Sequence, residues 1–470
     1  VFDSKGRAHL TYLTVLLEFP SFQSTMALRY AYSDDGGATW TESEQLIDTG
    51  GIDPLNPINS ERLVDKEWLA VDRNPDSEHF DDIYMQYVSF EPDTLDNVNA
   101  KILMVKKEAG ADVFADNIVQ VNTQEYILAQ YSSLAVDNQG HVHAFFMGVT
   151  PDETTSFYHS VSTDGGQTFS PENKISDFHL PGMAIDEPTN AIPGIDSTRI
   201  YPCPHMRVDN SGGDTDGFLY AVWTANGISE ASTPGVDIYF SKSTDGGATW
   251  SEPRVLNDNP DTESHQFFPS LHVNNRGVVI ATWYDRRDDP DGLNTHYYIT
   301  YSYDGGESFE TSFAVSTQPS DFEMIGEKNG GFGIGEYTQV IANDDYAIPV
   351  WSDGRSNDGN IELYIAFIPI RDEVLGFDEV KTLSPGFSVV GPNPNPVYES
   401  AILKLDLHKA ANLHFDIHSP DGKLVRRTPV KSFPAGTSTY VLNTSELAAG
   451  MYTLSIRSEL GFVSKRFVVR

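Results

Sequence analysis

Apolar runs and polar stops alternate along this chain on a fixed schedule. Six times an apolar run ends in Asp or Asn, a turn follows, and a second apolar run begins. The phrases are VFDSKGRAHLTYL (1–13), LAVDRNPDSEHFDDIYMQYV (69–88), LAVDNQGHVHAFF (134–146), MRVDNSGGDTDGFLYAVW (206–223), LHVNNRGVVIATW (271–283) and VIANDDYAIPVW (340–351). The stops are Asp3, Asp72, Asp137, Asp209, Asn274 and Asn343, spaced by 69, 65, 72, 65 and 69 residues. A third β-rich run follows in each unit (MALRYAY, AKILMVK, TSFYHSV, VDIYFSK, HYYITYS, IELYIAF), and a short fourth run follows in most. Runs of this length with turn residues between them predict antiparallel strands, which we name A to D in chain order within each unit.

Between C and D stands a second repeated phrase: SDDGGATW (33–40), STDGGQTF (162–169), STDGGATW (243–250) and SYDGGESF (302–309). The second unit has a worn copy, VKKEAGADVF at 105–114. Paired glycines permit positive φ in a tight turn, the Asp accepts backbone N–H bonds within it, and the aromatic supplies an apolar latch. Each part has a structural job. Six four-stranded units predict an all-β fold, a six-bladed β-propeller over residues 1–370, with each blade buried against the next. By repeat phase Val1 aligns with Ala135, inside the first A strand, so the phase predicts an N-terminally truncated propeller.

The blade pattern stops after IELYIAFIPI. Residues 371–387 read as a linker, and 388–470 as short alternating strands with Pro/Gly turns, which predict a small β-sandwich. The two regions differ in charge. The chain of 470 residues carries a formal net charge of −37, yet residues 388–470 hold ten Lys/Arg against six Asp/Glu. The acidic excess therefore lies in the repeats, and it argues against nucleic acid or an anionic membrane as partner. No stretch approaches the roughly 20 apolar residues that span a bilayer. The one cysteine, Cys203, forms no intramolecular disulfide and reads as a small buried hydrophobe.

The DGG phrases resemble the Asp boxes, or BNR repeats, of the sialidase superfamily, over residues 1–370. That resemblance implies the fold, and it implies that the boxes lie on the face away from any active site. The D–A and B–C connections then line the opposite face, where loops converge. On that face the B–C connections of units five and six share W-x-D-x-R: Trp283-Tyr284-Asp285-Arg286-Arg287 and Trp351-Ser352-Asp353-Gly354-Arg355. Two arginines one period apart suit bidentate capture of a carboxylate; alternatively each pairs with its own Asp. Arg199, in the long loop with Asp186, Glu187 and Asp196, and Glu336-Tyr337 open other A strands. Glu67, Trp68, Tyr131, His205, Gln266 and Phe267 occupy corresponding places, a mix of aromatic and polar groups suited to a sugar.

By the sialidase resemblance, Arg199, Arg287 and Arg355 form a substrate-carboxylate triad. Tyr337 is the nucleophile, Glu336 its assisting base and Asp285 a further catalytic carboxyl; Trp68 and His205 complete the substrate-binding set. Glu336 and Tyr337 are adjacent, so they act together only outside a regular strand. The chain departs from the family in having no Arg-Ile-Pro phrase near its start and no Asp in the first B–C connection, LEFPSFQSTMA. No cofactor or metal motif is present; DNSGGDTD (209–216) and DDPD (288–291) offer a weak calcium reading through oxygen ligands. The 388–470 segment, with its PNP opening, SPDGKLV turn and AAGMYTLSIRSELGFVSKRFVV, resembles the C-terminal sorting domain of the bacterial type IX secretion system. It implies the type IX machinery as partner and a secreted or cell-surface location. Two functions follow as expectations: a sialidase-like glycoside hydrolase, or a non-catalytic propeller that binds a glycan or protein.

Overall fold

The computed structural model describes residues 1–17, 24–52, 62–94, 97–181, 192–195, 201–228, 233–259, 263–289, 292–328, 334, 336–370, 387–419, 423–458 and 460–470. The chain divides into two compact units, Val1–Val374 and Leu375–Arg470. Both are built from antiparallel strands, and the fold is all-β.

Among the described residues, the larger unit contains six antiparallel sheets in chain order. Three, the second to the fourth, are simple meanders in the order A-B-C-D, and the fifth adds Ser320–Asp321 beside its C strand Asn294–Ser302. The second, for example, runs Leu63–Val71, Ile83–Thr94, Asn97–Lys107, Val119–Gln120, and the third runs Leu128–Val136, Val142–Val149, Thr155–Ser162, Asn173–Asp177. The fourth and fifth begin with the A strands His205–Val208 and Gln266–Val273, and the sixth with Gln339–Ala342. A strands of successive sheets pack on one another from the second sheet to the sixth. The B strands Val142–Val149, Leu219–Ala225 and Val279–Asp285 are buried at every position, so they read as mostly apolar runs without alternation.

Every A–B turn is tied by its polar stop. Asp3 Oδ1 accepts the N–H of Lys5 (3.0 Å) and Arg7 (2.8 Å), Asp137 that of Gln139 and His141 (both 2.8 Å), and Asn274 that of Arg276 and Val278 (both 3.0 Å). Asp72, Asp209 and Asn343 do the same two residues ahead. The carboxylate or amide oxygen replaces strand partners that the reversing backbone lacks.

The DGG turns are equally uniform. Ser33 Oγ accepts the Gly37 N–H and donates to Asp35 (both 2.8 Å), and Asp35 accepts the N–H (2.9 Å) and hydroxyl (2.7 Å) of Thr39. The same four bonds recur around Asp164, Asp245 and Asp304. The second glycine of a box also meets the preceding sheet. A Cβ on Gly247 would lie 2.0 Å from the His159 ring, and one on Gly306 2.7 Å from Phe240. In the worn second-unit copy a plain turn remains, closed by Ala111 N–H to Glu108 C=O (3.0 Å).

The smaller unit has a three-stranded sheet (Phe387–Asn393, Ser400–Leu407, Gly436–Asn443) and a five-stranded one built on Ala411–His418, Gly450–Ser458 and Gly461–Val469. Strict alternation of buried and exposed positions along Ser400–Leu407 turns Leu403, Leu405 and Leu407 inward onto Phe415, Ile417, Leu454 and Ile456. Each such side chain contributes about 1.5–3 kcal/mol through burial. Asp416, buried in this unit, is neutralised by Arg427 (3.3 Å) and Arg457 (2.5 Å).

Candidate functional site

The A strands do not begin as regular strands. Lys66, Tyr131, Cys203 and Phe268 have φ of +56°, +54°, +42° and +53°, a left-handed conformation that side chains with a Cβ seldom adopt. Each stands six residues before its sheet's polar stop, and Tyr337 holds the same place in the sixth sheet. In the second, third and fifth sheets the pairing register slips at this point, as in a β-bulge. The kink re-aims one side chain per sheet at the end of the A strand opposite the polar stops and boxes.

These side chains meet. Lys66 Nζ donates to Glu336 Oε1 (2.9 Å) and Tyr337 Oη (3.0 Å). It also lies 4.8 Å from the ring centres of Tyr201 and Tyr337 and 5.7 Å from that of Tyr131. One ammonium thus joins the second, third, fourth and sixth sheets. The Tyr131 and Tyr201 rings pack tilted at 42° with centres 5.1 Å apart, Gln130 Nε2 reaches Asp65 (3.3 Å), and Ser132 reaches the Lys66 carbonyl (3.3 Å). Tyr337 remains 65% exposed, so the cluster opens to solvent through its ring.

The electrostatics follow from partial burial. Burial works against the Lys66 charge, but Tyr337 and Glu336 outweigh it and hold this ammonium above its ordinary value. Burial raises the Tyr337 phenol, and Lys66 opposes that rise. Burial raises Tyr131 and pushes the Cys203 thiol far up, in the latter case with Glu336 adding to the effect. Glu67, next to the Lys66 kink, is raised by burial and then by Asp65.

Glu336 and Tyr337 both precede the regular strand Gln339–Ala342, so the alternation of a strand does not separate them, and both reach Lys66. Their shared partner is a lysine rather than an arginine. Arg287 is tied elsewhere: its Nε and Nη2 donate to Asp285 (3.0 and 2.7 Å) and its Nη1 to Asp258 (2.6 Å). Arg355 donates to Asp353 from Nε (3.0 Å) and Nη2 (2.5 Å) and to Thr317 from Nη1 (3.2 Å), and lies over the Tyr364 ring at 3.9 Å. Each arginine of the W-x-D-x-R phrase therefore pairs with its own Asp. Asp285 is fully buried and accepts from Trp283 Nε1 (2.7 Å), Gln266 (3.2 Å) and Arg287, which makes it a loop fastener. Trp68 and His205 pack edge to face at 5.2 Å, with the Arg207 guanidinium 5.8 Å from the Trp68 ring; burial holds His205 well below its ordinary value. Arg199, Asp186, Glu187 and Asp196 lie outside the described residues.

In the two phrases of the weak calcium reading, Pro290 and Asp291 lie outside the described residues, and carboxylate oxygens of the others accept hydrogen bonds. Asp209 accepts from Ser211 and Thr215, Asp216 from Asn138 and Gly212, Asp288 from Tyr298, and Asp289 from Asn294. Among the described residues no group of three or more His, Cys, Asp and Glu is arranged to hold a metal ion.

Lys66 and Tyr201 were not singled out in the sequence. Their signal is positional: Lys66 stands six residues before its polar stop and Tyr201 eight before its own.

Residues 31–42 match the BNR/Asp-box repeat, and residues 393–470 match the secretion system C-terminal sorting domain. The sorting domain directs the chain through type IX secretion to the cell surface or beyond it. No helix among the described residues is long and apolar enough to cross a membrane. No curated protein matches the chain by sequence. Similar solved structures include an α-L-arabinofuranosidase of Fusarium graminearum (10% identity, 76% of this chain and 92% of that chain, TM-score 0.43). Others are the endosialidase of phage phi92 (10% identity, 99% and 84%, TM-score 0.43) and an α-L-arabinanase of Penicillium chrysogenum (10% identity, 76% and 92%, TM-score 0.38). At these scores no functional assignment rests on them.

Proposed function

We propose that the larger unit is a six-bladed propeller that engages glycans outside the cell through the cluster around Lys66. The observation that carries this reading is the convergence of four sheets on one ammonium, each through a strained or irregular A-strand entrance. Strained backbone persists where the surrounding structure holds it, and it gathers at functional sites. Tyr131, Tyr201 and Tyr337 offer ring faces to the C–H faces of a sugar, and Lys66, Glu336 and the phenols offer partners for hydroxyls.

Binding is favoured over chemistry at Tyr337. A phenol nucleophile needs a base in contact with its hydroxyl. Glu336 instead reaches Lys66, and Lys66 holds its proton. With Arg287 and Arg355 tied to Asp285 and Asp353, the expected arginine clamp for a sugar carboxylate is also closed on itself. Glycoside hydrolysis is the second reading, and Glu67 favours it: burial and then Asp65 raise its carboxyl, as in an acid kept protonated near a second carboxyl group.

A glycan array with the full-length protein, followed by affinity measurements, tests the first reading. Tyr337→Ala and Tyr201→Ala each lose roughly tenfold or more in affinity. Undiminished binding by both variants, or binding to no glycan, defeats it. For the second reading, turnover of fluorogenic sialosides and other aryl glycosides is lost in Glu67→Gln; no turnover at high protein concentration removes hydrolysis.

A further inference from the structure

The two W-x-D-x-R phrases fold alike. Trp283 and Trp351 each donate Nε1–H to the Asp two residues on at 2.7 Å, and the backbone N–H of Arg287 and Arg355 returns to that Asp at 2.8 Å. Both loops are complete with Trp, Asp and the final Arg. The position between Asp and Arg differs: Arg286 in the fifth sheet, Gly354 in the sixth. Gly354 fits its place closely, since a Cβ there would stand 2.4 Å from Ile325. The phrase therefore does not require a side chain at this position, and Arg286 calls for its own explanation.

Arg286 is 1% exposed. Its Nε donates to Thr295 Oγ1 (3.0 Å), and the Phe267 and Phe322 rings lie 5.4 and 5.1 Å from its guanidinium carbon. Among the described residues, Nη1 and Nη2 have no hydrogen-bond partner. Asp289 favours the charge from a distance, but its Oδ2 accepts the N–H (3.2 Å) and Nδ2 (2.7 Å) of Asn294. Burial lowers this guanidinium to about 9, so it is still a cation at neutral pH. A buried cation with two open donors is strongly destabilising unless an anion meets it. The aromatic flanks and near-complete burial exclude a sugar ring and select for small size.

We propose that Arg286 is the receptor for a small inorganic anion of the chloride class, held by Nη1 and Nη2 beside the Phe267 and Phe322 rings. The inference is independent of the glycan reading. To test it, full-length protein is unfolded in urea over a series of chloride and bromide concentrations, with ionic strength held constant by methanesulfonate. Once halide exceeds its dissociation constant, the apparent unfolding constant falls about tenfold for each tenfold rise in halide. Arg286→Met loses this response. Unfolding that ignores halide, or a response that survives in Arg286→Met, overturns the proposal. Stabilisation by glucuronate but not by chloride, lost in Arg286→Met, also overturns it, in favour of a ligand carboxylate. Should Arg286→Met fail to fold, bromide soaked into wild-type crystals gives an anomalous peak at Arg286, and its absence is equally decisive.

Discussion

The two ends of the A strands obey different rules. At one end lie the polar stops and Asp boxes, where the same residue types make the same bonds in sheet after sheet. Asp35, Asp164, Asp245 and Asp304 each accept from a backbone N–H and a hydroxyl four residues ahead. At the other end the repeated feature is backbone: a left-handed residue at four successive entrances, filled by Lys, Tyr, Cys and Phe. Where chemistry repeats, its demands are internal and already met. Where geometry repeats under changing side chains, the side chains are free to serve something else. The box end is framework, and the entrance end is where a ligand is to be sought.

This contrast can be broken most forcefully at the boxes. Gly247→Ala places a Cβ 2.0 Å from the His159 ring at φ +89° and is expected to cost about 3 kcal/mol in urea unfolding. A cost near zero would mean that the box does not fasten the third sheet to the fourth. Box aromatics sharpen the point. Trp250 packs on His159 at 5.7 Å, whereas Trp40 is 43% exposed, and Gly37 beside it meets nothing nearer than that ring at 3.9 Å. Trp250→Ala is expected to cost about 2 kcal/mol and Trp40→Ala under about 1. Equal costs would contradict a latch that works by reaching a neighbouring sheet.

Acid titration separates the ends more gently. Asp35 is held down to about 2 by the Thr39 hydroxyl and N–H. For Asp164 burial pulls upward, but bonds from Thr168 and Ser162 outweigh it and hold it also at about 2. A depressed carboxylate contributes stability above its unfolded value of about 3.9, and that contribution fades as pH falls toward 2. Wild type therefore loses stability between about pH 4 and pH 2. Asp164→Asn shows a shallower loss in the same window, and an unchanged slope would show that the box bonds add nothing. At the other end, Tyr337→Ala changes stability by under about 0.5 kcal/mol, because the ring is exposed. Its effect falls on glycan affinity.

The same difference explains what could be read from sequence. The polar stops and DGG turns were legible because a reversing backbone restricts which side chains can satisfy it. The match to the BNR/Asp-box repeat and the sorting domain agrees with that reading. The entrances were obscure because a positive φ leaves no fixed residue type behind. Lys66 had no motif, and its partners Tyr201, Glu336 and Tyr337 lie more than a hundred residues away. Arg287 and Arg355 were ambiguous for another reason. A guanidinium that clamps a ligand carboxylate and one that clamps its own Asp use the same atoms, and only their placement tells them apart.

Hydrogen exchange with and without a glycan bound tests the central claim most directly. On the present account protection rises at residues 63–69, 128–132, 201–206 and 336–340, while the boxes at 33–40, 162–169, 243–250 and 302–309 stay unchanged. Protection centred on the boxes, with the entrances unaffected, would contradict it.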